Sequence, residues 1–396
     1  MQKVASKTAF GILAALSLAH MLNDAMQSVL NAVYPLIKKT LELDFGQIGK
    51  IALVYQISAS IFQPLLGYYF GKKPNAWFLP IGMLFTMGGL LGLAYSTSFE
   101  MAMCSVFFSG IGSSVLHPEA SRLVSLASGG RKGLAQSVFQ VGGSTGWAFG
   151  PLLAALFVST HEQKDIAIFS VFALIAIVGL IPVCRWYSAK LKEAKARANS
   201  AEEVIKPMLP KGTIIKVLGI LLILLFSKYL YTASISNYYT FYLMEKFGVS
   251  LGTSQLFLFA FLFAAALGTL LGGPIGDRIG RRLVIWFSIL GASPFALLMP
   301  HANLFWTFIL SIFAGFIISS AFSAMLIYAQ EILPMKVGMI SGMFFGLAFG
   351  IAGISSALLG ELADLKGLEF VYDLCSFMPL IGIIAYFLPR VRNLRQ

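Results

Sequence analysis

Charge is scarce in this chain. Of 396 residues only 12% are charged and only 17 are acidic, whereas 58% are hydrophobic and the mean hydropathy is +0.81. A soluble fold with so few charges would not stay in solution, so the chain is an integral membrane protein. Cysteine is nearly absent too. Cys104, Cys184 and Cys375 lie in or near apolar stretches, form no spaced framework, and read as packing residues. No His/Cys/Asp grouping has metal-ligand spacing, no nucleophile stands beside a base at motif spacing, and no glycine-rich loop cradles phosphate. These absences argue against a membrane-embedded enzyme, imply no cofactor or metal, and exclude an ATP-driven pump for this chain alone. No long soluble segment is available for a sensor or output domain, which argues against a receptor. The alternation of apolar and polar residues that marks outer-membrane strands is also missing, so the spans are helices.

What is present is a succession of long apolar runs, each of the roughly 20 residues that cross a bilayer. Twelve spans are predicted: 10–37, 46–70, 76–96, 100–126, 132–158 and 165–187, then 213–244, 252–276, 282–300, 303–330, 335–361 and 369–389. The first run is too long for a signal peptide and lacks a small-residue cleavage site, so it is expected to remain as a mature helix. The polar stretch 188–212 reads as a cytoplasmic linker between two six-helix halves, 1–187 and 213–396. The net charge of +12 does not imply a nucleic-acid partner, because the basic residues cluster at span ends. Lys3, Lys7, Lys72, Lys73, Arg122, Arg131, Lys132, Arg278, Arg281, Arg282, Lys336 and the final arginines fall on one side. Only Lys38, Lys39, Lys50, Lys164, Lys246 and Lys366 fall on the other, so both termini are expected to be cytoplasmic.

The halves repeat. Gly67-Tyr-Tyr-Phe-Gly71-Lys72-Lys73 follows the second span, and Gly273-Pro-Ile-Gly-Asp277-Arg278-Ile-Gly280-Arg281-Arg282 follows the eighth, 206 residues later. Secondary transporters are built from such repeats, with the substrate site between the halves near mid-membrane. In the second copy the glycines permit a tight turn, Asp277 can accept hydrogen bonds from a neighbouring helix N-terminus or pair with arginine, and the arginines hold the cytoplasmic side. A basic inner loop alone would explain Arg281 and Arg282 but not the Gly and Asp spacing. The first copy has Gly71 where the Asp is expected, which puts an equivalent latch there in doubt.

Polar residues inside the spans are the candidate site. His20, Asp24, Gln27 and Asn31 lie on one face of the first span, with Asn23 beside them, and in a bilayer that face must line a cavity or a helix contact. A carboxylate at this depth survives only against protein, water or a partner, which makes Asp24 the leading proton carrier. The second span adds Gln56, Ser60 and Gln63, and the fifth adds Gln136, Gln140 and Ser144. In the fourth, His117, Glu119 and Arg122 flank Pro118, and Glu119 with Arg122 is equally a structural ion pair or part of a proton site. Glu331 and Glu361 close their spans and read as interfacial. Lys228 lies too deep in the seventh span to snorkel, so it calls for an anion, either Asp24 or a negatively charged cargo, with Tyr231 and Asn237 near it in sequence.

Two segments match a known pattern. Gly273-x3-Asp277-Arg278-x-Gly280-Arg281-Arg282 resembles the loop signature of the major facilitator superfamily, and Gly146-x3-Gly150-Pro151 a degenerate form of its fifth-helix antiporter motif. Close helix packing explains the second equally well. His20-x2-Asn23-Asp24, His117-Pro-Glu119, Gly133-Leu-Ala-Gln136-Ser-x-Phe139-Gln140-x-Gly142-Gly143, Phe226-Ser-Lys228-Tyr229 and Gly272-Gly-Pro-x-Gly-Asp277 together resemble the fosmidomycin resistance family within it. The resemblance implies a proton-driven drug exporter of the bacterial inner membrane, functioning as a monomer, with twelve helices in two pseudo-symmetric six-helix bundles. From its buried position Asp24 is expected to lead in carrying the proton, with Glu119 and His117 as alternates. The polar residues His20, Asn23, Gln27, Gln56, Gln136, Gln140, Lys228, Tyr231 and Asn237 would meet a small, anionic phosphonate-like cargo, while Arg122, Gly146, Gly150, Pro151, Asp277, Arg278 and Arg281 gate. A proton-coupled importer of a small anion or sugar would share the architecture, since no motif encodes direction.

Overall fold

The computed structural model describes residues 8–43, 45–158, 162–198 and 210–389. Lys3, Lys7, Arg390, Arg392, Arg395 and the middle of the linker, 199–209, lie outside the described residues, as do the side chains of Asn31, Gly150, Pro151 and Glu361. The protein is all-α. Its first half consists of α1 (Phe10–Ala32), α2 (Tyr34–Thr40), α3 (Phe45–Lys72), α4 (Phe78–Ala94), α5 (Phe99–Ala127), α6 (Lys132–Val158) and α7 (Ser170–Ala198), the last preceded by a 3-10 turn at Gln163–Phe169. The second half consists of α8 (Lys211–Phe247), α9 (Leu251–Ile279), α10 (Arg281–Leu290), α11 (Ser293–Leu298), α12 (Leu304–Ser319), α13 (Ala321–Ile332), α14 (Val337–Lys366) and α15 (Leu368–Ser376), and closes in a 3-10 stretch, Met378–Phe387. These elements cover each of the twelve predicted spans. Among the described residues nine stretches are long and apolar enough to cross a membrane, and Phe78–Ala94 is a shorter apolar helix.

Several spans are not continuous α-helices: the first breaks at Val33 between α1 and α2, and the twelfth passes from α15 into the closing 3-10 stretch. The ninth breaks between α10 and α11 at Gly291-Ala292, where Pro294 opens the new helix in its first turn. The tenth breaks between α12 and α13 at Ser320, whose hydroxyl donates to the Ile317 carbonyl and competes with the helical ladder. Pro118 interrupts nothing, because α5 runs through it. Gly280 separates α9 from α10 with a φ of +98°, a conformation in which a side chain would be strained.

Side chains are distributed inside out. On α3 the residues Leu53, Ile57, Ile61 and Leu65, four apart, are all exposed, as are Leu256, Phe259, Phe263 and Leu267 on α9. Such stripes face lipid rather than water. The interior holds His20, Asn23, Asp24, Gln27, His117, Glu119, Gln136 and Lys228, all buried.

Two compact units emerge from the packing. The first takes most of the first half together with Pro334–Leu347, and the second takes the second half together with Arg131–Ser137. The opening turns of α6 and α14 are therefore exchanged, each packing with the unit built from the opposite half of the sequence.

Candidate functional site

Glycine brings α6 onto α1. A Cβ at Gly142 would overlap the Ser17 carbonyl, and one at Gly146 the Met21 carbonyl. Ser17 and Ser28 donate to the Val138 and Trp147 carbonyls and stitch the same seam. Gly146 thus serves close packing, as small residues do between membrane helices. Gly143 lies directly over the polar residues of α1, where a Cβ would meet the His20 ring and the Asp24 carboxylate.

Asp24 lies at the centre of the resulting cluster in unit 1. His20 Nε2 is 3.2 Å from one carboxylate oxygen and His117 Nε2, from α5, 3.5 Å from the other. Asn23 and Gln27 donate their amides to Asp24 Oδ1 at 3.1 and 3.2 Å, and Gln27 also donates to the Ser113 hydroxyl. Both histidines have their second nitrogen committed: Nδ1 of His20 meets the Phe139 carbonyl at 2.8 Å, and Nδ1 of His117 the Ser113 carbonyl at 2.9 Å. A carbonyl only accepts, so each Nδ1 carries the proton and each neutral ring presents the Nε2 lone pair to the carboxylate. Two lone pairs and an anion thus converge, their ligating atoms within 4.8 Å of one another. The buried Asn23 Oδ1 adds another acceptor without a hydrogen bond among the described residues. Such a group calls for added positive charge. Sequence spacing placed His20 and Asp24 on one face of the first span; the fold adds His117, 93 positions beyond Asp24 in the chain.

Aromatic rings enclose the cluster. His20 stacks on Phe139 with centroids 4.1 Å apart, and its ring meets that of His117 edge to face at 5.1 Å. Phe345, from the exchanged start of α14, lies 5.1 Å from His117 and 6.5 Å from His20. Nothing in the sequence pattern marked Phe345.

Glu119, two residues beyond His117, faces a different partner. Arg122 grips its carboxylate with Nε and Nη2 at 2.9 and 2.5 Å and also donates to the Tyr187 hydroxyl on α7. Tyr187, buried at the far end of the first half, was not legible as a partner. The pair lies in unit 1 beside the contact of Gly67 on α3 with Gly338 on α14, where either Cβ would overlap the opposing carbonyl.

Unit 2 holds the corresponding contact. Gly273 on α9 faces the Gly133 carbonyl, and its amide donates to the Ser137 hydroxyl. One turn later Asp277 accepts from the amides of Gly133 and Leu134, both at 3.0 Å, and so caps the N-terminus of α6 from another helix. Arg281 completes the latch with 2.6 Å bonds to Asp277 and to the Gly276 carbonyl, and lies 3.5 Å from Glu331. Glu331 is therefore an ion-pair partner rather than a free interfacial residue. Arg278 is exposed. In the first copy a Cβ at Gly71 would meet nothing within 4 Å.

Lys228 lies on α8, 17 residues into a 37-residue helix about 55 Å long, and so near its middle. It is 6% exposed, with its ammonium 4.1 Å from the Tyr229 ring centroid and 5.8 Å from that of Phe322. Among the described residues it makes no hydrogen bond or ion pair. Asp24, the anion suggested for it, takes its partners from unit 1. Tyr231 is buried with its hydroxyl unbonded among the described residues, whereas Asn237 is exposed and donates to the Ala233 carbonyl of its own helix. Gln136 is buried, and Gln56 and Gln140 are half-buried.

The family model described as Major Facilitator Superfamily matches residues 16–242 and 220–396. Over 388 residues the chain is 52% identical to the "Fosmidomycin resistance protein" of Escherichia coli (strain K12), covering 98% of this chain and 95% of that one. It is 37% identical over 389 residues to the "Uncharacterized MFS-type transporter YfnC" of Bacillus subtilis (strain 168), with the same coverage of each. Among solved structures, the proton:xylose symporter XylE superposes with a TM-score of 0.76 at 15% identity, over 98% of this chain and 97% of that chain. FucP in its outward conformation does so at 0.71 and 14%, over 96% and 98%. The last two establish the fold. With the family model and the first relative, they show that the chain is a multi-pass membrane transporter of the Major Facilitator Superfamily and belongs to the family of the fosmidomycin resistance proteins.

Proposed function

We propose that this protein exports small drugs, fosmidomycin among them, in exchange for protons by alternating access. The observation that carries the reading is the buried convergence of His20, Asp24 and His117, an arrangement rich in acceptors that gains by binding a proton. The 52% identity with a fosmidomycin resistance protein supplies the cargo. Asp24 carries the proton, with His117 and His20 sharing it, and Asn23 and Gln27 report the protonation state through their bonds to the carboxylate. Glu119, already gripped by Arg122, serves chiefly to hold α5. Lys228, unpaired among the described residues, receives the phosphonate anion, with the Tyr231 hydroxyl near it in sequence. The polar residues Gln56, Gln136 and Gln140 line the path. Asp277, Arg281, Gly146 and Arg122 hold the helix contacts that open and close, with Arg278, Gly150 and Pro151 in the same motifs. The halves 1–187 and 213–396 work as two bundles joined by the linker 188–212. Lysine and arginine placement supports cytoplasmic termini, and the family resemblance supports a monomer in the inner membrane of a bacterium.

Everted membrane vesicles energised by respiration test this, with a pH-sensitive dye reporting the gradient as fosmidomycin is added. Export predicts partial collapse of the gradient that requires the protein and disappears in Asp24→Asn, which still binds drug. Full pumping by Asp24→Asn would remove Asp24 from the mechanism. No response to fosmidomycin or other drugs, with uptake of a small anion in its place, would reverse the direction.

A further inference from the structure

We propose that Phe345 is the gate of the proton site: its ring seals the His20–Asp24–His117 cluster while the start of α14 is docked, and admits water to it when that segment lifts. The inference rests on the proton role assigned above and adds a residue from the other half of the sequence to it.

The geometry begins with glycine. Gly338, Gly342 and Gly346 recur every four residues along one face of α14, and each is pressed against the backbone of α3. A Cβ at Gly342 would overlap the Gln63 carbonyl, one at Gly346 would crowd the Ser60 carbonyl, and one at Gly338 would crowd that of Gly67. Close backbone approach of this kind brings the neighbouring side chains of the helix deep into unit 1. Phe345, adjacent to Gly346, is 4% exposed there.

Its ring covers both histidines. The centroid lies 5.1 Å from His117, tilted 46°, and 6.5 Å from His20, edge-on at 86°, and it meets Phe139 edge-on at 6.4 Å. Phe139 already covers the other side of His20 as a stacked partner. The ionisable groups behind the ring are His20 and Asp24 from α1 and His117 from α5. Two phenyl rings thus flank a group that must exchange protons with water, and apolar constrictions of this kind close a path by excluding water from it.

The helix bearing the ring is shared. Pro334–Leu347 packs with unit 1, while the remainder of α14 from Ala348 belongs to unit 2. The ring thus lies on the part of α14 that packs within unit 1, and the seating of that segment there controls proton access. The Nδ1 atoms of His20 and His117 bond to carbonyls on α6 and α5 rather than on α14, so the ring supplies neither of these bonds.

The test uses the full chain in proteoliposomes with an imposed pH gradient and no drug. Phe345→Ala is expected to dissipate the gradient several-fold faster than the unaltered protein, Phe345→Leu by an intermediate amount, and Phe345→Ala combined with Asp24→Asn no faster than the unaltered protein. A Phe345→Ala protein that still moves drug and leaks at the unaltered rate would overturn the proposal. So would a leak that survives Asp24→Asn, because protons would then be bypassing the cluster. If the alanine variant does not reconstitute, Phe345→Leu decides the matter by the same two readings. Drug-driven proton movement by Asp24→Asn alone would instead remove the proton role on which the gate rests.

Discussion

His20 and His117 meet edge to face, ring centroids 5.1 Å apart, and both direct Nε2 to the carboxylate of Asp24. Each ring is fixed by a backbone carbonyl on its other nitrogen, so neither can turn away without breaking a buried hydrogen bond. On the proton role proposed above, the three side chains would work as a single unit.

Substitution of either histidine should consequently alter the pH dependence of transport more than its maximum. His20→Gln and His117→Gln are each expected to displace the profile of drug-driven proton flux, recorded between about pH 5 and 8. The double variant should lose coupling as completely as Asp24→Asn, and less steeply than two independent sites would. Unchanged profiles in both single variants would show that the carboxylate titrates alone.

Lys228 offers a test that separates cargo from proton. Lys228→Met removes the charge and keeps most of the volume. If it binds the anion of the cargo, the half-saturating concentration of fosmidomycin should rise roughly tenfold or more, matching about 1.5–3 kcal/mol for a charge-assisted bond. Lys228→Arg should recover only part of this, since a planar guanidinium needs a different geometry. Drug binding by isothermal calorimetry on purified protein reads both directly.

The latch of Asp277 holds two amides and one arginine. Asp277→Asn leaves one oxygen for two N–H groups and weakens the bond to Arg281, with an expected loss on the order of 1–2 kcal/mol. Thermal unfolding in detergent measures it. Gly71→Asp is the converse experiment, because the space at Gly71 is open. It places a carboxylate at the equivalent point of the repeat, and its expected effect is slower drug efflux without loss of stability.

Glu119 distinguishes an ion pair from a proton site. Its carboxylate is buried and bidentate to Arg122. Glu119→Gln strands most of the arginine charge, so stability should fall by about 3 kcal/mol, the low end for breaking a buried pair because Arg122 is 19% exposed and keeps Tyr187. Efflux per folded molecule should persist. Normal stability with abolished proton coupling would return Glu119 to the proton path.

Much of this protein was legible in its sequence, for identifiable reasons. Continuous apolar runs of bilayer length leave the backbone no choice but helix, because lipid offers no hydrogen bonds. The membrane class, the spans and the repeat follow from that constraint together with the glycine and charge punctuation. Asp24, His117, Glu119 and Lys228 stood out because ionisable groups are rare and costly inside a span. Asp277 was marked by its spacing from the glycines.

Tertiary structure alone decided partnership. Asp24 is bound by two histidines, one of them on another helix, while Glu119, two residues from that histidine, turns to Arg122 and Tyr187. Glu331 joins Arg281, and Phe345 crosses from the second half to cover the histidines of the first. A one-dimensional pattern reports which residues are unlikely in hydrocarbon. It does not report which meet, since that depends on where glycine seams such as Gly142 and Gly146 or Gly338, Gly342 and Gly346 let helices close to backbone contact.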